Sequence, residues 1–118
     1  MAKYKLRQFA ELETFPNVYH HIQTTKEVEV FAMRGLWLKN NFKNNNPLVL
    51  ELGCGKGEYT TAMASGFKDK NFIGVDLKGN RLWTGAKIAL AQNLQNAAFL
   101  RTRIENIVTA FAPNEVDE

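Results

Sequence analysis

Five residues, Leu48-Val-Leu-Glu-Leu52, form a short apolar run that stops at alternating glycines, Gly53-Cys-Gly-Lys-Gly57, and a helical pattern follows at once, from Gly57 to about Phe67. An apolar run of this length broken by glycine marks a parallel strand buried on both faces. The unit then recurs. Asn71 to Asp76 is a second run of the same kind. Gly79 to Asn93 is a longer helix with Leu82, Trp83, Ala86, Ala89 and Leu90 on its core side, and Ala97 to Arg101 is a third strand. A short helix from Glu105 to Ala110 comes next, ended by Pro113. Strands alternating with helices at this spacing need crossovers, and crossovers of one hand build a parallel sheet. The predicted class is an open α/β fold.

The chain upstream is less regular. Asn40 to Pro47, with five asparagines, reads as a loop, because Asn competes with the backbone for hydrogen bonds and Pro disfavours helix just before it. Thr24 to Phe42 reads as mostly helical, with Thr25 as its cap and Val28, Phe31, Leu36, Trp37 and Leu38 giving one side an apolar character. Val28-Glu-Val-Phe31 also fits a short strand. Residues 1–23 show no clear period, and Phe15-Pro-Asn-Val18 marks a turn. The net charge of +3 lies entirely upstream: residues 1–46 carry seven Lys/Arg against four Asp/Glu, and residues 47–118 carry eight against eight. A modest basic arm beside a neutral domain is compatible with a nucleic-acid partner. At 118 residues the chain is one compact domain at most. No apolar run approaches the roughly 20 residues of a membrane span, and the start has no secretory pattern. One cysteine, Cys54, excludes an internal disulfide and a Cys-based zinc site. The cytoplasm is the expected compartment.

Chemistry concentrates where the first strand of this series meets its helix. The loop is G-x-G-x-G with Glu51 two residues ahead of it, and it matches neither the dinucleotide fingerprint nor the Walker loop. Asp76 closes the next strand, where a carboxylate can accept two hydrogen bonds from a ribose diol. A second carboxylate at the loop would repel a pyrophosphate. It suits a ligand with an ammonium and a sulfonium, the charges of S-adenosylmethionine. The alternative is a tight turn that binds nothing, with Asp76 as a helix cap.

Four stretches resemble the tRNA (guanine-N(7)-)-methyltransferase family: Leu50-Glu-Leu-Gly-Cys-Gly-Lys-Gly-Glu-Tyr59, Phe72-Ile-Gly-Val-Asp-Leu-Lys-Gly-Asn-Arg-Leu-Trp83, Thr84-Gly-Ala-Lys87 and Phe111-Ala-Pro-Asn-Glu-Val-Asp-Glu118. The run from Arg7 and Phe15-Pro-Asn-Val18 are similar to that family's N-terminal region. The glycine loop marks only the wider class, whereas the block from Asp76 to Trp83 is far more specific. The resemblance implies a Rossmann-like S-adenosylmethionine-dependent methyltransferase fold, truncated after the third strand of the series and its following helix. It implies that Glu51, Gly53 and Gly55 hold the methionine end of the cofactor and that Asp76 takes the ribose hydroxyls. The position beside the adenine, usually Asp or Asn in the family, is Arg103 here, which leaves that contact to backbone groups of Arg103 and Ile104. It also implies a tRNA partner, and catalytic residues beyond Glu118, where the family continues into a strand and a Pro-Asp-Pro segment. On this reading residues 1–46 are a basic N-terminal extension with a helix, and residues 47–118 are the incomplete N-terminal half of the methyltransferase domain.

Other residues have plainer readings. Cys54 is a small filler of a tight turn. His20 and His21 are adjacent and make a poor metal pair, so a surface or RNA-facing role is expected. Trp37 and Trp83 sit at helical spacing with other apolar residues and fit core packing. Lys78, Arg81 and Lys87 fit a solvated helix face or an RNA-facing one equally well, and Lys3, Lys5 and Arg7 form a basic tail. Because the family's fourth strand pairs with Leu48–Leu52, that strand is expected to be an open edge that can self-associate. The rival readings are a methyltransferase of the same class with another substrate, and a cofactor- or RNA-binding module without turnover.

Overall fold

In a computed structural model, the structure describes residues 2–22 and 29–118, with side chains from Leu6 onward. Helix α1 (Ala2–Leu12) leads through a turn to β1 (Val18–His20). After a π-type helical turn at Trp37–Phe42 come β2 (Leu48–Leu52), α2 (Glu58–Gly66), β3 (Asn71–Asp76), α3 (Gly79–Ala91) and β4 (Ala97–Arg101). A 3-10 turn at Ile104–Asn106 and α4 (Ile107–Ala110) complete the described elements. Among the described residues, no helix is long and apolar enough to cross a membrane.

The strands form one parallel sheet in the order β1-β4-β3-β2. The three strands expected from apolar runs take the expected places, and β3, buried through its first five residues, lies inside the sheet. Strand β1 was not foreseen. Its three residues have no pattern of their own and become a strand by pairing with β4, Val18 opposite Phe99. Helix α1 was missed for a related reason. Leu6 is exposed, and the helix is held from outside by Phe9 and Leu12 over the start of α3 and by Trp83 Nε1 donating to Glu11 Oε2 at 2.9 Å.

Helices α1, α2 and α3 cover one face, where Leu12, Phe72, Leu82 and Phe99 are buried. Trp37, Phe42, Ala110 and Phe111 cover the other, over Leu48, Ile73 and Leu100. Trp37 is fully buried, stacks on Phe111 with centroids 5.3 Å apart, and donates from Nε1 to Ala110 O at 2.9 Å.

The long helix expected over residues 24–42 is not found. Among the described residues only Trp37–Phe42 are helical, residues 32–36 form turns, and Thr24, Thr25 and Val28 lie outside the described residues. The cause is distant in sequence. Glu115, itself held by Ala112 N–H (2.9 Å), accepts the N–H groups of Gly35 (2.8 Å) and Trp37 (3.1 Å), donors that a continuous helix would use itself. Of the run expected to be a loop, Asn40–Phe42 belong to the helical turn and only residues 43–47 form the loop. Asn44 and Asn71 exchange amide hydrogen bonds at 2.7 and 3.2 Å, which anchors the loop to the buried start of β3.

The outer edge of β2 is only partly open. Leu48 N–H donates to Asp117 Oδ2 (2.8 Å), Leu50 N–H to Glu118 O (2.9 Å), and Glu118 N–H to Leu48 O (3.3 Å). The last two bonds are the pattern of a parallel ladder with Glu118 opposite Val49. Leu52 at the far end is 51% exposed.

Replacing Trp37 with alanine removes a fully buried indole and leaves Ala110 O without its donor. Urea unfolding of Trp37→Ala should show a loss of about 3–5 kcal/mol, and a loss under about 1 kcal/mol would show that the second face is not a cooperative part of the core.

Candidate functional site at the carboxyl ends of the strands

All five residues singled out in the sequence lie at the carboxyl ends of adjacent strands: Glu51, Gly53 and Gly55 at β2, Asp76 at β3, and Arg103 two residues past β4. Parallel sheets place ligands at this end. Gly53 and Gly55 have φ of 70° and 58°, a region in which a Cβ is strained, and a Cβ built on either meets nothing within 4 Å. Open space therefore lies where side chains would stand. Gly57 is different. Its Cβ would stand 2.6 Å from the Phe99 ring, and one on Gly85 of α3 would stand 2.7 Å from Lys56 O. These two glycines let the loop and α3 touch backbone to backbone.

The loop is pinned from beneath. Gly53 and Cys54 N–H groups donate to Val75 O at 2.7 and 3.0 Å. Asp76 binds the loop from the side, Oδ2 accepting Gly55 N–H at 2.9 Å while Oδ1 accepts Lys78 N–H at 3.0 Å just before α3. Asp76 thus also does the work of the cap in the alternative reading. A carboxylate has about four acceptor positions, so two remain for a diol. Glu51 Oε1 accepts the Thr60 hydroxyl at 2.7 Å. Arg103 is exposed, its carbonyl accepts Asn106 N–H at 3.0 Å, and Ile104 beside it is 44% exposed.

Burial, with the nearby charges of Asp76 and Glu51, pushes the Cys54 thiol up to about 12. The two carboxylates act on the loop together, and the thiol is a packed filler rather than a nucleophile. Among the described residues no group of His, Cys, Asp and Glu is placed to hold a metal ion. The histidines are not surface groups, contrary to expectation. His21 is buried and its Nε2 lies 2.9 Å from Thr109 Oγ1, while His20 is half-buried, its pKa lowered by burial and by Arg101. Lys78, Arg81 and Lys87 are exposed, with Lys87 4.5 Å above the Trp83 ring.

Sequence reasoning passed over Thr60, Gly74 and Gly85. A lone glycine inside a strand (Gly74) or a helix (Gly85) is the available signal of a close approach. Thr60 leaves none.

Residues 45–118 match the family described as "Putative methyltransferase". Over 117 residues, 99% of its length, the chain is 54% identical to a tRNA (guanine-N(7)-)-methyltransferase of Christiangramia forsetii, and over 100% of its length it is 50% identical to that of Bacteroides fragilis. These matches take in 52% and 47% of the two relatives, so the chain spans about half the length of the curated relatives it matches. Among solved structures, a 30S ribosomal A1408 methyltransferase from an uncultured bacterium is similar with a TM-score of 0.54, over 66% of this chain and 36% of that one. At 24% identity that likeness establishes the fold, the Rossmann-like methyltransferase α/β arrangement expected from the sequence.

A thiol raised this far stays protonated at neutral pH. Cys54 should be alkylated by iodoacetamide at pH 8 at least a hundredfold (~) more slowly than a free thiol. Its protonated form also favours the fold: that contribution is complete below about 9 and is lost as pH rises toward about 12. Rapid alkylation of the folded chain at pH 8 would contradict the placement of Cys54 under the loop.

Proposed function

Because the chain belongs to this methyltransferase family and is homologous along nearly its whole length to tRNA (guanine-N(7)-)-methyltransferases, we propose that it is the cofactor-holding half of an enzyme that methylates N(7) of guanine in tRNA. One observation carries the reading. Two carboxylates flank a loop whose Gly53 and Gly55 leave open space, in a chain whose own whole length aligns with about half of these relatives. Family and fold support S-adenosylmethionine as the cofactor, and the residues present fit it: acceptors for a ribose diol, a second carboxylate for a cationic end, and open space before the loop.

When bound, S-adenosylmethionine supplies a methyl group made electrophilic by its sulfonium. In our proposal Glu51, Gly53 and Gly55 hold the methionine end, Asp76 accepts the ribose hydroxyls, and the backbone of Arg103 and Ile104 lies beside the adenine. Guanine N(7) carries a lone pair and no proton, so the reaction needs no strong general base. What it needs is alignment of two atoms and an electrostatic environment suited to a cationic purine. The residues that align the guanine are proposed to lie beyond Glu118. A cytoplasmic location and a tRNA partner are part of the same proposal, as is self-association along the part of the β2 edge that Asp117 and Glu118 leave uncovered.

Calorimetry tests the cofactor site. S-adenosylmethionine should bind the chain weakly, and Asp76→Ala should abolish the heat; equal heats for the two proteins would remove the ribose assignment. Methyl transfer tests the substrate. With labelled cofactor and unmodified tRNA, the 118-residue chain should incorporate nothing, whereas a protein extended through the remaining half should yield 7-methylguanine. Label in any other base would refute the substrate reading. Light scattering with hydrogen exchange tests the edge: a monomer at high concentration, with Leu52 strongly protected, would exclude self-association there.

A further inference from the structure

Thr61 returns its hydroxyl to Glu58 O at 2.9 Å, the ordinary local bond of a helical threonine. Its neighbour Thr60 does not. Only 2% exposed, Thr60 sends its hydroxyl out of the helix to Glu51 Oε1 at 2.7 Å. Gly74 of β3 makes room for this. A Cβ at Gly74 would stand 2.9 Å from Thr60 Oγ1 and 2.9 Å from Cys54 Sγ, so a larger residue would force the hydroxyl or the loop to move. Among the described residues no hydrogen bond reaches Glu51 Oε2, so the threonine fixes one oxygen and leaves the other for a ligand.

We infer that Thr60 is a positioning residue for the cofactor's amino-acid end, acting through Glu51. The inference rests on the cofactor reading above and adds a division within the site: Thr60 serves the cationic methionine end and not the nucleoside. The bond is charge-assisted and buried on the donor side, so its loss lets the Glu51 side chain rotate.

Two ligands separate the ends of the site: S-adenosylmethionine, and methylthioadenosine, which keeps the nucleoside and lacks the amino-acid group. By calorimetry, Thr60→Val should weaken S-adenosylmethionine about tenfold, the scale of one hydrogen bond to a charged group, and leave methylthioadenosine within about twofold. Thr60→Ser, which keeps the hydroxyl, should restore the affinity. In a Glu51→Gln background, Thr60→Val should add nothing, because the two residues act as one unit. Unchanged S-adenosylmethionine affinity in Thr60→Val would overturn the inference. An equal loss of both ligands would overturn it too, by showing that Thr60 merely supports the fold. If the unaltered chain binds neither ligand, the cofactor reading itself fails and takes this inference with it, a result distinct from the other two.

Discussion

Gly57 and Gly85 meet with no side chain between them, over the ring of Phe99. Most of the candidate site depends on that contact. With α3 held this close to the loop, α2 begins where Thr60 can reach Glu51, and the loop ends where Asp76 can reach Gly55. A methyl group on either glycine would lie within 3 Å of backbone or ring atoms and push the helix away from the sheet, moving both carboxylates relative to the loop. Phe99 takes part because it is the fully buried centre of β4 on that face.

Side-chain hydrogen bonds to the backbone hold the margins of the molecule. Asn96 Nδ2 donates to the carbonyls of Ala64 (2.9 Å), Phe67 (3.1 Å) and Lys70 (2.9 Å), which fastens the end of α2 to the start of β4. Thr102 donates to His21 O at 2.6 Å and so secures the exit of β1. Glu115 and Asp117 accept backbone N–H groups from residues 35, 37, 48 and 112. A buried N–H without an acceptor is costly, so these carboxylates stabilise irregular chain that has no ladder of its own.

What could be read from the sequence follows from the range of the forces involved. Strands 48–52, 71–76 and 97–101 and the helices between them were legible because their patterns are local. The glycine turn was legible because a backbone at positive φ leaves a trace in the residues that can adopt it, and Glu51 and Asp76 stood out by their places at the ends of the two strands beside it; their roles toward a ligand remain part of the proposal. Strand β1 and the turns at 32–36 were not, since one takes its form from β4 and the other from Glu115, about 80 residues away. Thr60 was hidden for a similar reason. A threonine in the first turn of a helix looks the same whether its hydroxyl bonds its own helix or a carboxylate on the neighbouring strand.

The ladder between Glu118 and Val49 also shows how the chain winds. From β2 the connections through α2 and α3 travel outward along one face to β4. The next segment passes through α4 across the opposite face and comes back to the far side of β2. Winding therefore reverses at β2. The chain leaving β2 enters α2 on one face, and the chain that reaches Glu118 beside Val49 arrives from the other. Glu51 and the glycine loop follow at the carboxyl end of the same strand. The strand that carries Glu51 is therefore the one from which the chain departs on one face and to which it comes home from the other, so a single short strand ties the two halves of the core together.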